Sequence, residues 1–539
     1  MSNTFGAPGV YVTESLLSPT PVNPVTSPSV AGFAGEHWRG PVGVAIQCNR
    51  WQDFVNYYGG FNTAATPVLT NSWLPYAVYE FFNNGGTQCY INRIAASGTP
   101  GVAASLTLKD GAATPQNTLK LTAGFLGVST TTNPNVGTWG NSLYAQVTIP
   151  TGSVAGTFNL TIFYGGNGPG NVVEQWNNLN MTASSPRYAP TVINSASSGS
   201  LWVVATDLFS ATASPLNSPG LAGPTQFTGG VDTTSPSSSD RVAAWTLGNA
   251  ACAFDVVPGV LNMNAPGETT TAVLTQATTY AGGGTSGRPY SFLVIDPVQG
   301  ASVASAVTYI QGLQALNNSS YVSVYYPWLV AVNPASSALQ ATITMPPGGF
   351  VLGQMSSTDT ATGPWYAPAG TTTNFNGVVS TERALTPANI GSLNNANVNT
   401  LKTLPNGQVI IWGARTMLTQ NTDVYVPIRR TLNYIEAQLA NLLQFAVFQP
   451  NNSLLWATIT SACDQFLGSI ASRNAFQGTT QSQQYFVVCN STNNTPTTIQ
   501  QGIVNTTIGI ALNYPAEFIQ LNVQQFQASG VTQTSQIGI

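Results

Sequence analysis

Charge is what this sequence lacks most. Of its 539 residues, 14 are lysine or arginine and 18 are aspartate or glutamate, so charged residues make up only 6%. Soluble domains usually carry about 25%. A surface with so little charge repels its own copies weakly and favours association. The composition fits either a loop-rich protein in a crowded or salty setting or a subunit packed against its own copies, and we favour the second interpretation.

Scarce basic, carboxylate and thiol groups exclude several kinds of site. Three lysines and a net charge of −4 form no basic patch, so we expect no nucleic-acid partner. The carboxylates are isolated, which predicts no metal site. The five cysteines are widely spaced and lack a C-x-x-C motif, so we expect free buried thiols made in a reducing cytoplasm. They are Cys48, Cys89, Cys252, Cys463 and Cys489.

Membrane and secretion signals are also missing. The first twenty residues contain neither a basic n-region nor an apolar h-region, so we expect no signal peptide. No run of about 18 apolar residues occurs, so we expect no membrane insertion.

Histidine chemistry would depend on one residue. His37 is the only histidine, so any Ser–His–Asp or Cys–His hydrolase must use it. It lies in "GEHWRGP", which we interpret as a surface loop in which Glu36 pairs with Arg39, and no G-x-S-x-G elbow accompanies it. We therefore predict no enzymatic activity.

One glycine-rich stretch has the spacing of a nucleotide-binding loop. "GGGTSGRP", residues 282–289, matches G-x-G-x-x-G. A phosphate loop must follow a strand and open a helix. Here the order is reversed, since a helical pattern precedes the stretch and a strand pattern follows. We interpret it as a helix-to-strand loop and predict no cofactor.

The periodicities predict a mixed α/β, multidomain fold. Helical stripes occur at 50–60, 71–86, 303–316, 429–443 and 453–470, and strand patterns at 88–94, 291–297, 320–333, "QFAVFQPNN" and "QQYFVVCN". The strand, helix and strand over 291–333 form one βαβ unit. Residues 98–235 alternate with a period of two and are rich in Thr, Ser, Asn and Gly, which predicts a β-rich insertion. We divide the chain into an arm with a proline-rich linker (1–28), a first core part (29–97), the insertion (98–235), a middle α/β domain (236–410), a C-terminal domain (411–525) and a tail (526–539).

Both ends of the chain have strand patterns without a local partner. "GAPGVYVTES" alternates at Val10 and Val12, and a stiff linker with four prolines follows at 18–28. "PAEFIQLNVQQF", residues 515–526, also reads as an extended strand. A lone strand needs a partner for its backbone N–H and C=O groups.

Several motifs, in order, resemble those of contractile phage tail sheath proteins. They are "PGVYVTE", "GEHWRGPVGVAIQCNRWQDF", "EFFNNGG", "GPWYAPAG", "IIWGARTM", "YVPIRRTLNYIEAQL", "FAVFQPNNSLLWATI" and "YPAEFIQLNV". The resemblance covers roughly 7–95 and 360–525, and residues 98–235 lie outside it. It implies an α/β core whose middle part is subtilisin-like without being a protease.

The resemblance implies a mechanical function. Subunits would stack as six-fold rings in a helical sheath around a tail tube, with baseplate and tail terminator proteins as further partners. Contraction from a metastable state would drive the tube through the host envelope for genome ejection, and the virion would be assembled in the host cytoplasm. Both ends lie on one chain, which favours a phage or phage-like particle over a secretion sheath, and the alternative is the sheath of a phage-derived injection particle (tailocin or secretion-type). A virion-associated hydrolase using the middle domain and a β-rich adhesin are the other hypotheses.

The resemblance also implies which residues join subunits. The N-terminal arm would add a strand to a neighbouring subunit, and the C-terminal segment would add another. The N-terminal strand comprises Pro8, Gly9, Val10, Tyr11, Val12, Thr13 and Glu14. The C-terminal strand comprises Glu517, Phe518, Ile519, Gln520, Leu521, Asn522 and Val523. The candidate tube-facing or contact residues are Arg429, Arg430, Asp464 and Arg473.

Overall fold

The computed structural model describes residues 27–61, 72–98, 101–124, 136–195, 198–232, 234–317, 319–338, 341–419 and 424–521. The N-terminal arm Pro8–Glu14 lies outside these residues, and so do Asn522 and Val523.

The first core part is a compact unit of strands and two helices. Its elements are β1 (Ala31–Glu36), β2 (Ile46–Cys48), α1 (Trp51–Tyr58), α2 (Leu74–Asn83) and β3 (Cys89–Ile94). Glycine ends α1 as the sequence predicts: Gly59 has a φ of 86°, and its N–H bonds to the carbonyl of Val55. This left-handed cap costs glycine little because it has no Cβ.

The insertion folds into two antiparallel sheets with its own apolar core. Its elements are β4 (Ser105–Lys109), β5 (Asn117–Ala123), β6 (Leu143–Thr148), β7 (Phe158–Tyr164), β8 (Val172–Leu179), α3 (Ala189–Ile193), β9 (Val203–Asp207) and β10 (Ala222–Gln226). The sheet orders are β10-β6-β7-β8 and β4-β5-β9. Alternate residues of β6, Leu143, Ala145 and Val147, are buried, which matches a sheet with one covered face.

The middle of the chain alternates strands and helices. Its elements are α4 (Ser238–Ala243), β11 (Leu261–Asn264), α5 (Thr271–Ala281), β12 (Ser291–Ile295), α6 (Val303–Leu316), β13 (Val322–Tyr326), β14 (Leu329–Val332), β15 (Thr342–Met345), α7 (Gly348–Ala361), β16 (Val378–Thr381), α8 (Pro387–Asn395), β17 (Asn399–Thr403) and β18 (Val409–Trp412). The βαβ unit is confirmed, because β12 and β13 are parallel and α6 connects them.

The C-terminal part is mostly helical. Its elements are α9 (Val426–Leu442), α10 (Ser453–Ala471), α11 (Gln481–Gln484), β19 (Tyr485–Val488), α12 (Pro496–Gln500) and β20 (Thr507–Ile510). The amide side chain of Asn452 caps α10 by accepting from the N–H groups of Leu454 and Leu455.

A central eight-stranded sheet joins the first core part to the middle of the chain. Its order is β18-β17-β13-β12-β11-β1-β3-β2, parallel from β17 to β3, with an antiparallel strand at each edge. One face packs on α5, α6 and α8, and the other on α1, α2 and α7. Burial on both faces explains why β12 and β13 are almost wholly apolar. The mixed α/β fold class is confirmed.

Two strand predictions need correction. The apolar run 320–333 is two strands in different sheets, since the chain turns at Pro327 and β14 joins the sheet β15-β14-β16. The segment "QFAVFQPNN" forms no strand: Leu443–Ala446 is a 3₁₀ turn that continues α9, and Phe448 has a φ of 64°.

Candidate assembly site

The hairpin of β19 and β20 is an incomplete sheet. The strands pair from Tyr485↔Ile510 to Val488↔Thr507, and in the part of the chain that the structure describes they form a sheet of only two strands. Two strands alone are marginally stable in water. An unpaired strand edge presents backbone N–H and C=O groups to any strand that approaches.

The body of the C-terminal part holds this hairpin in place. The Tyr485 hydroxyl donates to the carbonyl of Asp464 on α10 at 3.2 Å. The side chains of Val487 and Ile508 pack against an apolar cluster that includes side chains of α10. On the other face Phe486 is 53% exposed, and its ring covers Gly509, where a Cβ would lie 2.1 Å from it. The hairpin is therefore fixed on one face, and among the described residues no further strand pairs with β19 or β20.

The C-terminal segment leaves the body beside an ion pair. The Arg415 guanidinium binds the Glu517 carboxylate through Nε at 3.0 and 3.1 Å and through Nη2 at 2.5 Å. This hydrogen bonding raises the pKa of Arg415. From Phe518 to Leu521, the last residues that the structure describes, the chain has no ladder partner, and Phe518, Ile519 and Leu521 are 75%, 82% and 84% exposed. Three large apolar side chains within four consecutive residues are exposed to water, which is typical of a contact surface.

The candidate contact residues Arg429 and Arg430 are interior residues of this subunit. The Arg429 guanidinium lies 4.5 Å above the Tyr321 ring and donates to its hydroxyl at 3.2 Å. Arg430 forms an ion pair with Asp359 on α7, and its Nε donates to Asn262 Oδ1 at 3.3 Å. A tube contact does not fit side chains that are 7% and 2% exposed. They fix α9 to the central sheet and to α7.

The other two candidates lie nearer the surface. Asp464 is half-buried on α10, and Arg473 is exposed just after that helix. The Arg473 guanidinium lies 5.0 Å from the Trp365 ring and donates to the Thr362 carbonyl at 3.4 Å. These two residues and the hairpin edge belong to the same C-terminal part, whereas Arg429 and Arg430 do not reach its surface.

His37 is not the surface residue that the sequence predicts. It is fully buried among Trp38, Phe54 and Tyr58, and its Nε2 lies 2.8 Å from the Tyr58 carbonyl oxygen. A carbonyl only accepts, so Nε2 carries the proton. Burial and the nearby Arg93 lower the pKa of His37 to about 3, and the ring stays neutral. Its ring packs against the aromatic side chains of α1.

Arg39 has a different partner from the one predicted. Glu36 pairs with Arg241 on α4, which also lies 3.6 Å from Glu268. Arg39 instead enters the insertion, where its guanidinium carbon lies 4.2 Å from the Trp202 ring and 4.4 Å from the Trp139 ring.

The contact between Arg39 and the insertion could not be predicted from the sequence, because Arg39 and the two tryptophans are far apart in the chain. The only local signal is the "RGP" motif that it opens. Burial lowers the pKa of Arg39 to about 10, so it remains a cation.

The described residues contain no group of three or more His, Cys, Asp or Glu side chains that could hold a metal ion. None of the helices in the described ranges is long and apolar enough to cross a bilayer. The five cysteines are free and buried, as predicted.

Residues 261–417 match the family model of the phage tail sheath protein central domain. This segment is similar to the central domain of phage tail sheath proteins. It comprises β11 to β18, of which β11, β12, β13, β17 and β18 belong to the central sheet and β14 to β16 form the sheet β15-β14-β16. The resemblance found in the sequence is therefore confirmed. No curated protein matches the chain.

Solved structures extend the similarity to nearly the whole chain. The sheath complex of an extracellular contractile injection system (PVC), in its contracted state, is 19% identical with a TM-score of 0.55 and covers 97% of this chain and 99% of its own. A chain of the anti-feeding prophage baseplate has the same identity and TM-score and covers 97% and 100%. The sheath tail protein of Listeria innocua is 13% identical with a TM-score of 0.54 and covers 87% and 90%. The chain therefore has the sheath protein fold.

Proposed function

We propose that this protein is the sheath subunit of a contractile phage tail, polymerising as a helical stack of six-fold rings around a tail tube. The observation that carries the proposal is the hairpin of β19 and β20, whose outer edges have no partner strand among the described residues and which accompanies an exposed apolar C-terminal segment. A monomer gains nothing from accessible strand edges, whereas a polymer uses them as joints.

The joint is strand addition between copies. The arm Pro8–Glu14 of one subunit pairs with one edge of the hairpin on a neighbour, and Glu517–Val523 of another subunit pairs with the second edge. Arm and hairpin are different surfaces, so the contact is heterologous and extends into an open helix. The proline-rich residues 18–28 act as a semi-rigid tether that keeps subunits connected while they move.

Contraction draws its energy from the difference between two sets of packed interfaces. The glycine-rich loop at 282–289 has another use: Arg288 within it is buried and donates to the Val257 carbonyl at 2.5 Å and the Gly259 carbonyl at 2.8 Å. This loop holds the start of β11 and β12 in place. On contraction the sheath drives the tube through the host envelope for genome ejection.

The partners of this function are the tail tube, the baseplate and a tail terminator, within a virion assembled in the host cytoplasm. The second candidate is a sheath of a phage-derived injection particle, and the similarity to the PVC and anti-feeding prophage chains favours it. A structural role without enzymatic activity applies to both. A virion hydrolase built on His37 has little support because that side chain is buried.

Negative-stain electron microscopy of the purified full chain tests the joint. The variants are a chain lacking residues 1–17 and a full-length Val10→Pro/Val12→Pro chain, since proline cannot donate to a ladder. Val10→Thr/Val12→Thr is the matched control because threonine retains strand propensity. We expect hollow tubes from the parent and the control and only small species or loose rings from the other two. Compact monomers from all four chains would contradict the proposal.

A further inference from the structure

Two of the buried cysteines lie directly opposite each other on neighbouring strands. β2 and β3 pair in the register Ile46↔Ile91, Gln47↔Tyr90 and Cys48↔Cys89. Opposite residues of an antiparallel pair have Cα atoms about 4.5 or 5.5 Å apart, and disulfides span about 4.4–6.8 Å. Both side chains belong to the same apolar cluster.

The other three cysteines have a different placement. The Cys252 thiol donates to the Asp255 carboxylate at 3.3 Å. Cys463 lies on α10 and Cys489 follows β19, so they share a cluster but no strand pairing. Among the described residues, Cys48 and Cys89 are the only cysteines paired across a ladder.

We propose that Cys48 and Cys89 form a reversible cross-strand disulfide that joins β2 covalently to the central sheet in oxidising surroundings. The oxidant is a small-molecule disulfide. The thiolate of one cysteine attacks it, giving a mixed disulfide and releasing one small thiol. The second cysteine then displaces the other small thiol. One S–S bond forms in the protein and one breaks in the oxidant, whose sulfurs take up the two protons and two electrons.

The position of the pair sets when the bond forms. Both thiols are fully buried, and α1 covers them with Phe54 and Tyr58. Burial raises the pKa of the Cys89 thiol well above its usual range, so little thiolate is present. The reaction therefore waits for local opening of β2, which has three residues at the sheet edge, and of the eight-residue α1.

The timing of this step in the life of the particle rests on the proposed function. A sheath assembles in a reducing cytoplasm, where the thiols stay free, and meets oxidants only after release. The bond then links the two ends of the segment that carries α1 and α2. Opening of that segment costs more once the crosslink limits its open states.

The test exposes the purified full chain to oxidised glutathione under native conditions until the amides of α1 have exchanged with solvent. Free thiols are then alkylated in denaturant. The mass of the intact protein is measured by mass spectrometry, and its peptides are mapped without reduction. We expect three alkylated cysteines instead of the five in the reduced chain, and one peptide bridging Cys48 and Cys89. Hydrogen exchange of Trp51–Tyr58 should slow by about tenfold or more, and dithiothreitol should reverse it.

Two variants control this result. Cys89→Ser loses the bridged peptide and the slowed exchange, while Cys252→Ser behaves as the parent does; Cys48→Ala replaces the first variant if it misfolds. Five alkylated cysteines, or a glutathione adduct without a bridge, would overturn the proposal because α1 had already opened to the oxidant. Electron microscopy of the same samples separates the two proposals, since a bridge without tubes contradicts only the sheath function.

Discussion

Single buried charges hold the C-terminal part onto the central sheet. Arg430 at the start of α9 and Asp359 on α7 are an ion pair with side chains 2% and 0% exposed. Burial raises the pKa of Asp359 and the Arg430 charge opposes that rise. Each charge is tolerated inside the protein only because the other is present.

Removing one member of this pair should therefore cost more than removing both. We expect Arg430→Met to lower the free energy of unfolding by about 3–5 kcal/mol, and Arg430→Met/Asp359→Leu to recover most of the loss. Urea denaturation followed by tryptophan fluorescence measures both. Arg473→Met, at an exposed position, is the control and should stay within about 1 kcal/mol of the parent. A double variant as unstable as the single one would argue against this account.

His37 should make the protein sensitive to acid. Its pKa is about 3 in the folded chain, against about 6.5 when unfolded. Between these values the unfolded state binds a proton that the folded state does not, so stability falls as pH drops from about 6.5 towards 3. The slope is at most about 1.4 kcal/mol per pH unit.

The matching variant is His37→Gln, whose amide can still donate to the Tyr58 carbonyl. We expect a shallower decline in its melting temperature over the same pH range. Parallel curves for parent and variant would mean that His37 is protonated inside the fold.

For single residues, the sequence predicted the state of the cysteines better than it predicted the surroundings of the histidine and the arginines. The free buried state of the five cysteines follows from their spacing and from the lack of a motif. The burial of His37, Arg39, Arg429 and Arg430 could not be predicted, because their partners come from distant segments: Asp359 is 71 positions from Arg430. Two adjacent arginines give the same sequence pattern whether their side chains are exposed to water or paired with a buried carboxylate.

At the level of elements, prediction succeeded where periodicity extends over several turns. The stripes at 303–316 and 453–470 correspond to α6 (Val303–Leu316) and α10 (Ser453–Ala471). It failed for short apolar runs such as "QFAVFQPNN", where apolar residues do not distinguish a strand from the end of a helix. The sequence also does not indicate which strands pair with each other. The division of 320–333 between two sheets could therefore be seen only in the structure.

The C-terminal segment should be released by a single substitution. Glu517→Gln keeps the size of the side chain but removes the charge that Arg415 binds. We expect faster proteolytic cleavage after residue 513 in the monomer, with the melting temperature of the body unchanged. Limited proteolysis with mass spectrometry measures this, and Glu382→Gln, on a side chain that accepts from the Gly300 N–H, is the control. Equal cleavage rates would show that the ion pair does not hold the segment.

The whole molecule should assemble almost independently of salt. With 6% charged residues and a net charge of −4, contacts between copies depend on apolar, amide and hydroxyl groups. Salt screens exposed charges over about 10 Å at 0.1 M but leaves such contacts intact. We expect the midpoint concentration for tube formation to change less than about threefold between 50 and 500 mM NaCl, measured by sedimentation. A much larger change would show that charged contacts join the subunits.

At this scale the motifs indicated the family of the middle domain, whereas 98–235 resembled nothing nameable. The prediction for that region depended on an alternating pattern rich in Thr, Ser and Asn, which many β folds share. Its two sheets and their common core could be anticipated only as β-rich structure.

Arg39 connects the insertion to the first core part. Its backbone belongs to the first core part and its Nη2 donates to the Asn56 carbonyl at 2.8 Å, while its cation lies among Trp139, Tyr164 and Trp202 of the insertion. Pulling the two apart would leave a desolvated charge without its aromatic neighbours. Arg39 therefore ties the insertion to the first core part, and we expect a rotation of the core to move the insertion with it.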